Sequence, residues 1–292
     1  MKNILFIASE GVPFIKTGGL ADVVGSLPKG IDKEYYDVRV ILPKYNCMHQ
    51  DKKDMLHYRD HFYMEFNWKN EYVGILEAEY DGIKYYFIDN EYYFNGFKPY
   101  CDNALFEIEK FAFFSKAALS ILPVIGFRPD LIHCHDWQTG LIPVYLKNEF
   151  QADSFYWGMK SIMTIHNLKF QGVWDIKTMQ GLTGFSASLF TPDKLEFKKD
   201  ANMLKGGLVY ADYITTVSDS YAQEIQTEYY GEGLNGLLSA RHFDMQGIVN
   251  GIDIELWNPN TDPEIPYHFN KVNIAAQKKK AKSFTVSKEW CV

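Results

Sequence analysis

The segments that decide the fold are N-I-L-F-I-A-S at residues 3–9 and K-T-G-G-L-A-D-V at residues 16–23. The first is apolar enough for a buried strand, and the second leads from a glycine pair into a helical pattern. Because a helix N-terminus exposes backbone N–H groups, this junction predicts an anion site, to which Lys16 adds positive charge. Gly18 and Gly19 carry no Cβ, so a ligand can approach the backbone closely. The junction therefore indicates a phosphate-bearing or sugar ligand, or else a plain strand-to-helix connection.

Strand-like and helix-like segments alternate along the rest of the chain. Helical spacing extends over 105–122, and Gly126 and Pro129 end that helix. The Asp-Gly pair at 81–82 predicts an antiparallel hairpin within 62–94. Alternation of this kind predicts an α/β fold with a doubly wound, mostly parallel sheet. The predicted strands are 3–9, 37–42, 72–79, 83–88, 130–134, 160–166, 212–217 and 246–249.

Polar residues directly follow several of these predicted strands. Open α/β sheets bind ligands outside the carboxyl ends of their strands. If the strands are parallel, the polar residues converge on one crevice, which we predict to be the active site. Each position alone is equally consistent with an ordinary loop residue. The positions are Ser9-Glu10, His135-Asp136, His166-Asn167, Ser218-Asp219 and Asn250.

Three of the histidines and one aspartate allow more than one chemical interpretation. His133 and His135 would face the same side of a strand, but a third metal ligand at suitable spacing is missing, which favours a structural or sugar-contacting role. Asp136 is a general acid or base, a contact to a sugar hydroxyl, or the cap of the helix that follows. His166 ends an apolar strand, where a hydrogen-bonded histidine at the rim is the simplest interpretation. The sequence lacks the motifs of serine, zinc and cysteine hydrolases.

Composition points to a soluble cytoplasmic protein. The chain has 292 residues, a formal net charge of −7 and 23% charged residues, enough for a sizeable core and up to two domains. The acidic excess argues against nucleic acids and anionic membranes as partners. The first apolar run is too short for a signal peptide, and no segment reaches transmembrane length. We expect reduced thiols at the four unpaired cysteines, Cys47, Cys101, Cys134 and Cys291.

A series of sequence blocks closely resembles the bacterial glycogen synthases and plant starch synthases, in the order that this family shows. The resemblance covers about residues 1–266. It implies transfer of glucose from a nucleotide sugar, ADP-glucose, to the end of an α-1,4-glucan. The blocks are A-S-E at 8–10 with K-T-G-G-L-A-D-V at 16–23, H-C-H-D-W-Q-T-G at 133–140, T-I-H-N-L at 164–168 with Q-G at 171–172, T-T-V-S at 215–218, and I-V-N-G-I-D at 248–253 with W-N-P at 257–259.

For the fold, the resemblance implies the N-terminal half of a GT-B glycosyltransferase, with two Rossmann-like domains and the active site between them. It implies retention of the anomeric configuration and no cofactor or metal. On the donor side, Lys16, Gly18 and Gly19 would contact the nucleotide sugar, and Asp22 would support their loop.

The resemblance also implies roles for the residues around the transferred sugar. Glu10 would line the acceptor side. Asp136 and His166 would hold the glucose as the catalytic pair, with the His166 carbonyl stabilising positive charge at C1. Asn167 and Asn250 would bind substrate.

The end of the chain departs from the family pattern. The resemblance fades there, and Arg241 is the last arginine, whereas the family's second domain supplies Arg and Lys for the leaving diphosphate. We expect 1–245 to form the N-terminal Rossmann-like catalytic domain and 246–292 to form a hinge and the truncated start of the C-terminal nucleotide-sugar-binding domain. Such a fragment would be inactive alone, its missing domain lost by truncation or frameshift or supplied by another chain. The alternatives are a non-catalytic glucan- or nucleotide-sugar-binding module and a related glycosyltransferase for a different sugar.

Overall fold

The computed structural model describes residues 1–289, which fall into a compact unit Met1–Asn250 and a second unit that begins at Gly251. The strands are β1 (Lys2–Ile7), β2 (Tyr36–Pro43), β3 (His57–Phe66), β4 (Lys69–Tyr80), β5 (Ile83–Asp89), β6 (Leu131–His135), β7 (Lys160–Ile165), β8 (Val173–Asp175), β9 (Glu196–Phe197), β10 (Asp200–Asn202), β11 (Tyr213–Thr216) and β12 (Met245–Gly247). The helices are α1 (Gly19–Gly30), α2 (Gln50–Lys53), α3 (Glu91–Phe94), α4 (Ala104–Val124), α5 (Leu141–Asn148), α6 (Ile176–Thr183), α7 (Met203–Tyr210), α8 (Asp219–Glu224), α9 (Asn235–Ala240) and α10 (Ile274–Glu289).

A nine-stranded sheet forms the centre of the first unit, in the order β12-β11-β7-β6-β1-β2-β5-β4-β3. Neighbours from β12 to β5 are parallel, and β4 and β3 add an antiparallel edge. β2 to β5 lie on one side of β1, whereas β7, β11 and β12 follow β6 on the other side. The strand order therefore reverses between β1 and β6. This confirms the predicted Rossmann-like, doubly wound and mostly parallel sheet. In such sheets the crevice beside the reversal is the ligand site.

Each predicted strand has a counterpart in this sheet, and the predicted hairpin is confirmed. Asp81 and Gly82 both have positive φ, at 51° and 69°, as a two-residue turn between antiparallel strands requires. Two features went unpredicted. β3 begins at His57, earlier than the predicted hairpin region, and β8, β10 and β9 form a separate antiparallel sheet. Strands of two or three residues are too short to show an alternating pattern.

Helix α4, predicted over 105–122, is buried along most of its length. Its Phe113 ring stacks on Tyr93 with centroids 4.5 Å apart and meets Phe66 edge-on at 5.7 Å. The Asn103 side chain caps the helix by accepting the Phe106 N–H, and Gly126, at φ 64°, reverses the chain after its end. This packing fixes α4 against the sheet, and its first turns face the cleft described below.

Cys47, Cys101 and Cys134 are free thiols, whereas Cys291 lies outside the described residues. Within residues 1–289, the helices fall short of the length and apolarity needed to cross a bilayer.

The second unit contains α10 and a series of turns before it. In one of these turns the Asp253 carboxylate accepts the N–H groups of Glu255 and Leu256, at 3.1 and 3.0 Å. That residues 246–292 form a hinge and the start of a further domain stays a prediction.

Candidate active site

A cleft of about 840 Å³ lies outside the carboxyl ends of β1, β6 and β7, beside the reversal in strand order. It brings together most of the residues predicted from strand ends, and the glycine pair at the start of α1 lines it as well. The predicted pair Ser218-Asp219 does not line the cleft. Instead, the Ser218 hydroxyl accepts the Tyr221 N–H at 3.0 Å and caps α8, in which Asp219 is the first residue. The predicted residues that line the cleft are Glu10, Gly18, Gly19, Asp136, His166, Asn167 and Asn250.

The glycine pair leaves the start of α1 open. Gly18 is the residue before the first turn and makes no side-chain cap. A Cβ added to Gly18 or Gly19 would meet nothing within 4 Å. The first N–H groups of a helix have no partner within the helix, so this end of α1 can receive an anion from the cleft.

Lys16 and Asp22 form an ion pair beside this helix start. Lys16 Nζ lies 2.7 Å from Asp22 Oδ1, and the two side chains are 43% and 34% exposed. Asp22 therefore holds the Lys16 ammonium at the first turn of α1, and neither of the two side chains lines the cleft. Contact of Lys16 with a ligand stays a prediction.

Glu10 is buried and ties two loops together. Its carboxylate accepts the Thr17 backbone N–H, the Thr17 hydroxyl at 2.9 Å and the Tyr100 hydroxyl at 3.1 Å. Tyr100 also lies 2.7 Å from the Ser9 hydroxyl. Glu10 thus joins the segment leading to the glycine pair with Tyr100, which also lines the cleft.

Asp136 has a strained backbone and an unexpected set of partners. Its φ of 56° lies in the left-handed region, which is costly for a residue other than glycine. Its side chain does not cap the short 3-10 helix Trp137–Thr139, so the predicted helix-capping alternative is wrong. Instead, Oδ1 accepts the backbone N–H groups of His166 at 2.7 Å and Asn167 at 3.4 Å.

The carboxyl of Asp136 has a raised pKa. Burial raises the pKa of its carboxyl to about 7, against the two backbone hydrogen bonds, and the Glu10 carboxylate adds to the rise. A carboxyl that titrates near neutral pH can accept or donate a proton in the cleft.

Three histidines form a connected cluster at the ends of β6 and β7. His133 Nε2 lies 2.6 Å from Thr164 Oγ1, and His135 Nδ1 lies 3.0 Å from His166 Nε2. The rings of His133 and His135 stack at 4.3 Å. Burial lowers the pKa of His133 to about 3 and that of His166 to about 4, and it holds the pKa of His135 well below its ordinary value. The cluster is therefore neutral at neutral pH.

His133 serves a structural role in this cluster through Thr164, whereas His166 lines the cleft. Groups of three His, Cys, Asp or Glu side chains able to hold a metal do not occur among residues 1–289.

A buried ion pair in α4 is part of the site that sequence reasoning missed. Glu107 and Lys110 form a close pair whose side chains are only 8% and 3% exposed. Glu107 also accepts the Cys101 N–H at 3.0 Å, and Lys110 donates to the Pro99 carbonyl at 2.7 Å. The pair thereby holds the loop that carries Tyr100. Glu107 and Lys110 carry opposite charges three positions apart in a mostly apolar helix, and this spacing was the signal that could have revealed the pair.

Several known proteins are similar to this chain in sequence. The profile of the starch synthase catalytic domain matches residues 3–240. The glycogen synthase of Lachnospira eligens is 60% identical over 283 residues, and that of Lachnoclostridium phytofermentans is 61% identical over 282. Each match covers 97% of this chain and 59% of the relative, so the chain spans less than two thirds of the length of these curated relatives.

A solved structure shares the fold over nearly the whole chain. It is the catalytic domain of starch synthase IV from Arabidopsis thaliana, bound to ADP and acarbose. The TM-score is 0.85 at 31% sequence identity, and the match covers 96% of this chain and 59% of the other.

Proposed function

Because this chain belongs to the starch synthase catalytic domain family, we propose that its cleft binds the sugars of a glycogen synthase reaction. In this reaction glucose passes from ADP-glucose to the non-reducing end of an α-1,4-glucan, with retention of configuration. The observation that carries the proposal is the hydrogen bond from the His166 amide to Asp136, which joins two strand ends beside the reversal in strand order.

We assign the donor's phosphate to the start of α1. The uncapped amides beyond Gly18 and the open space beside the glycine pair suit an anion. Lys16, paired with Asp22 of the first turn of α1, adds a positive charge to this end of the helix. ADP in the related starch synthase structure supports adenosine diphosphate as the carrier of the glucose.

We assign the transferred glucose to Asp136 and His166. Positive charge builds at C1 as the nucleotide leaves, and a preorganised negative dipole stabilises such charge. The carbonyl of His166 supplies that dipole. The backbone N–H groups on both sides of this carbonyl donate to the Asp136 carboxylate, which restricts its reorientation. A neutral imidazole fits this position because a cation there would oppose the charge at C1.

The acceptor glucan lies on the side of Glu10 and Tyr100. The Glu10 carboxylate already accepts three hydrogen bonds, and we therefore propose that its role is to hold this wall of the cleft in place. The amide side chains of Asn167 and Asn250, both lining the cleft, offer donors and acceptors to sugar hydroxyls.

We further propose that efficient turnover in the cytoplasm needs the portion that the longer relatives have and this chain does not match. That portion would stabilise the leaving diphosphate and close the cleft to water. Losing even one preorganised contact of this kind costs about a hundredfold or more in rate.

The test compares purified chain 1–292 with the same chain joined to the remaining portion of the Lachnospira eligens glycogen synthase. Each is incubated with glycogen and radiolabelled ADP-glucose, and with UDP-glucose as the competing donor. We expect incorporation from ADP-glucose by the joined protein alone, and its loss in the joined Asp136→Ala variant.

Full turnover by chain 1–292 would contradict the need for the additional portion. Incorporation from UDP-glucose but not ADP-glucose would overturn the donor assignment. If neither protein incorporates glucose while both bind acarbose in calorimetry, the chain is a glucan-binding module.

A further inference from the structure

His135 is fully buried, and its ring contacts both His133 and His166. It stacks on His133 at 4.3 Å and on Phe6 at 5.8 Å. Its Nδ1 lies 3.0 Å from His166 Nε2. Its other ring nitrogen, Nε2, is buried and lacks a hydrogen-bond partner among the described residues.

These contacts constrain which nitrogen of each ring bears a proton. Both rings are neutral at neutral pH because burial lowers their pKa values, so each carries one N–H. The hydrogen bond between them needs one donor and one acceptor. Either His135 donates from Nδ1, or His166 donates from Nε2 and His135 carries its proton on the buried Nε2.

The second arrangement leaves a buried N–H without an acceptor. Buried N–H groups without partners are rarer in proteins than buried acceptors without donors. The first arrangement leaves only a bare acceptor nitrogen at the same point. It also puts the His166 proton on Nδ1, the ring nitrogen that the cluster does not use.

We propose that His135 is a positioning residue that donates from Nδ1 to His166 Nε2 and so fixes His166 as a donor, through Nδ1–H, to a sugar hydroxyl in the cleft. The identity of the ligand as a sugar depends on the proposed function, whereas the position of the proton on His166 does not. His166 lines the cleft, and a hydroxyl oxygen accepts such a bond readily. His133 supplies a matched control, because it stacks in the same cluster but its ring nitrogen pairs with Thr164.

The first experiment is a long-range ¹H–¹⁵N spectrum of the uniformly labelled chain at pH 7.5, which separates protonated from bare ring nitrogens. The chain has eight histidines, and a His166→Gln variant identifies the His166 signals by their loss. We expect a protonated Nδ1 on His166. A protonated Nε2 there would overturn the proposal, and this measurement needs no altered core residue.

The second experiment follows the His166 signals in His135→Phe, His135→Asn and His133→Phe. We expect a mixture of both His166 tautomers in His135→Phe. His135→Asn keeps an amide donor near the position of Nδ1 and should restore the Nδ1–H form, and His133→Phe should retain it. An unchanged His166 spectrum in a folded His135→Phe protein would overturn the proposal.

Calorimetry with acarbose then links the proton position to binding. Affinity should fall about tenfold in His135→Phe, the effect of about one hydrogen bond, and should largely return in His135→Asn. Equal affinity in His135→Phe and the unaltered chain would contradict the assigned role toward sugar. If the unaltered chain itself fails to bind acarbose, the proposed function fails at this site, and the spectra still decide the role of His135.

Discussion

The carboxylate of Asp136 accepts the backbone N–H of His166 at 2.7 Å, across 30 positions of sequence. The bond joins the ends of two adjacent parallel strands, β6 and β7. To make it, Asp136 adopts a left-handed backbone and leaves its own short helix uncapped. Strain and partial burial of a carboxyl are tolerated where a site gains from them. The cleft is therefore organised around this contact.

The first prediction concerns the pH dependence of stability. The pKa of Asp136 is raised from 3.8 to about 7, so the folded state binds more protons than the unfolded state between these values. The free energy of unfolding therefore falls as pH rises through this window. Asp136→Asn keeps a carbonyl acceptor and does not titrate. We expect the unaltered chain to lose about 1–2 kcal/mol relative to this variant, less than the full shift because Asp136 is only half-buried at the wall of the cleft.

Urea unfolding of both proteins at pH 4 and pH 7.5 measures this difference. A decline of equal size in the two proteins would show that Asp136 does not contribute to it. The slope of the unfolding curve should stay the same, because the surface exposed on unfolding does not change.

The positions of the strands could be predicted from sequence, because buried parallel strands leave long apolar runs. The convergence of Glu10, Asp136 and His166 then followed from the rule that parallel strands end at one edge. The partner of Asp136 could not be predicted. A local pattern suggests capping of the next helix, whereas the actual partner is the backbone of a strand far along the chain.

The same limit applies to Tyr100 and to the Glu107–Lys110 pair. Their roles depend on a loop folding back against α4, which leaves no periodic signal in the sequence. The neutrality of the histidine cluster likewise comes from packing against Phe6 and neighbouring strands, not from residue spacing.

The second prediction concerns Lys16. Lys16→Ala removes an exposed ion pair with Asp22, so the free energy of unfolding should change by less than about 1 kcal/mol. ADP affinity in calorimetry should fall about tenfold or more, because a charge-assisted contact is lost. The control is Lys29→Ala, which breaks a similar ion pair with Asp81 at the other end of α1. Equal ADP affinity for the two variants would exclude a role of Lys16 toward the phosphate.

The third prediction concerns the buried pair in α4. Lys110→Met leaves the Glu107 carboxylate buried without its cation and should lower the free energy of unfolding by about 3–5 kcal/mol. The double variant Lys110→Met/Glu107→Leu should recover much of this loss, because no charge remains buried. Lys2→Met, which breaks an exposed pair with Asp130, should cost less than about 1 kcal/mol.

Urea unfolding of the unaltered chain, Lys110→Met, Glu107→Leu and the double variant gives the coupling between Glu107 and Lys110. Purely additive effects would contradict a coupled buried pair. Acarbose affinity should fall in the double variant even where stability recovers, because the loop carrying Tyr100 loses its two anchors.

The fourth prediction is that a side chain at Gly18 lowers ligand affinity without lowering the stability of the fold. A Cβ there would meet nothing within 4 Å, and the backbone φ of −154° is open to other residues. Gly18→Ala should therefore change the free energy of unfolding by no more than about 0.5 kcal/mol. ADP affinity should nevertheless fall about tenfold, because the methyl group occupies the approach to the helix amides. Gly30→Ala, at the far end of α1 and equally free of contacts, should leave ADP affinity unchanged and should raise the free energy of unfolding by no more than about 1 kcal/mol. Unaltered ADP affinity in Gly18→Ala would move the phosphate away from the start of α1.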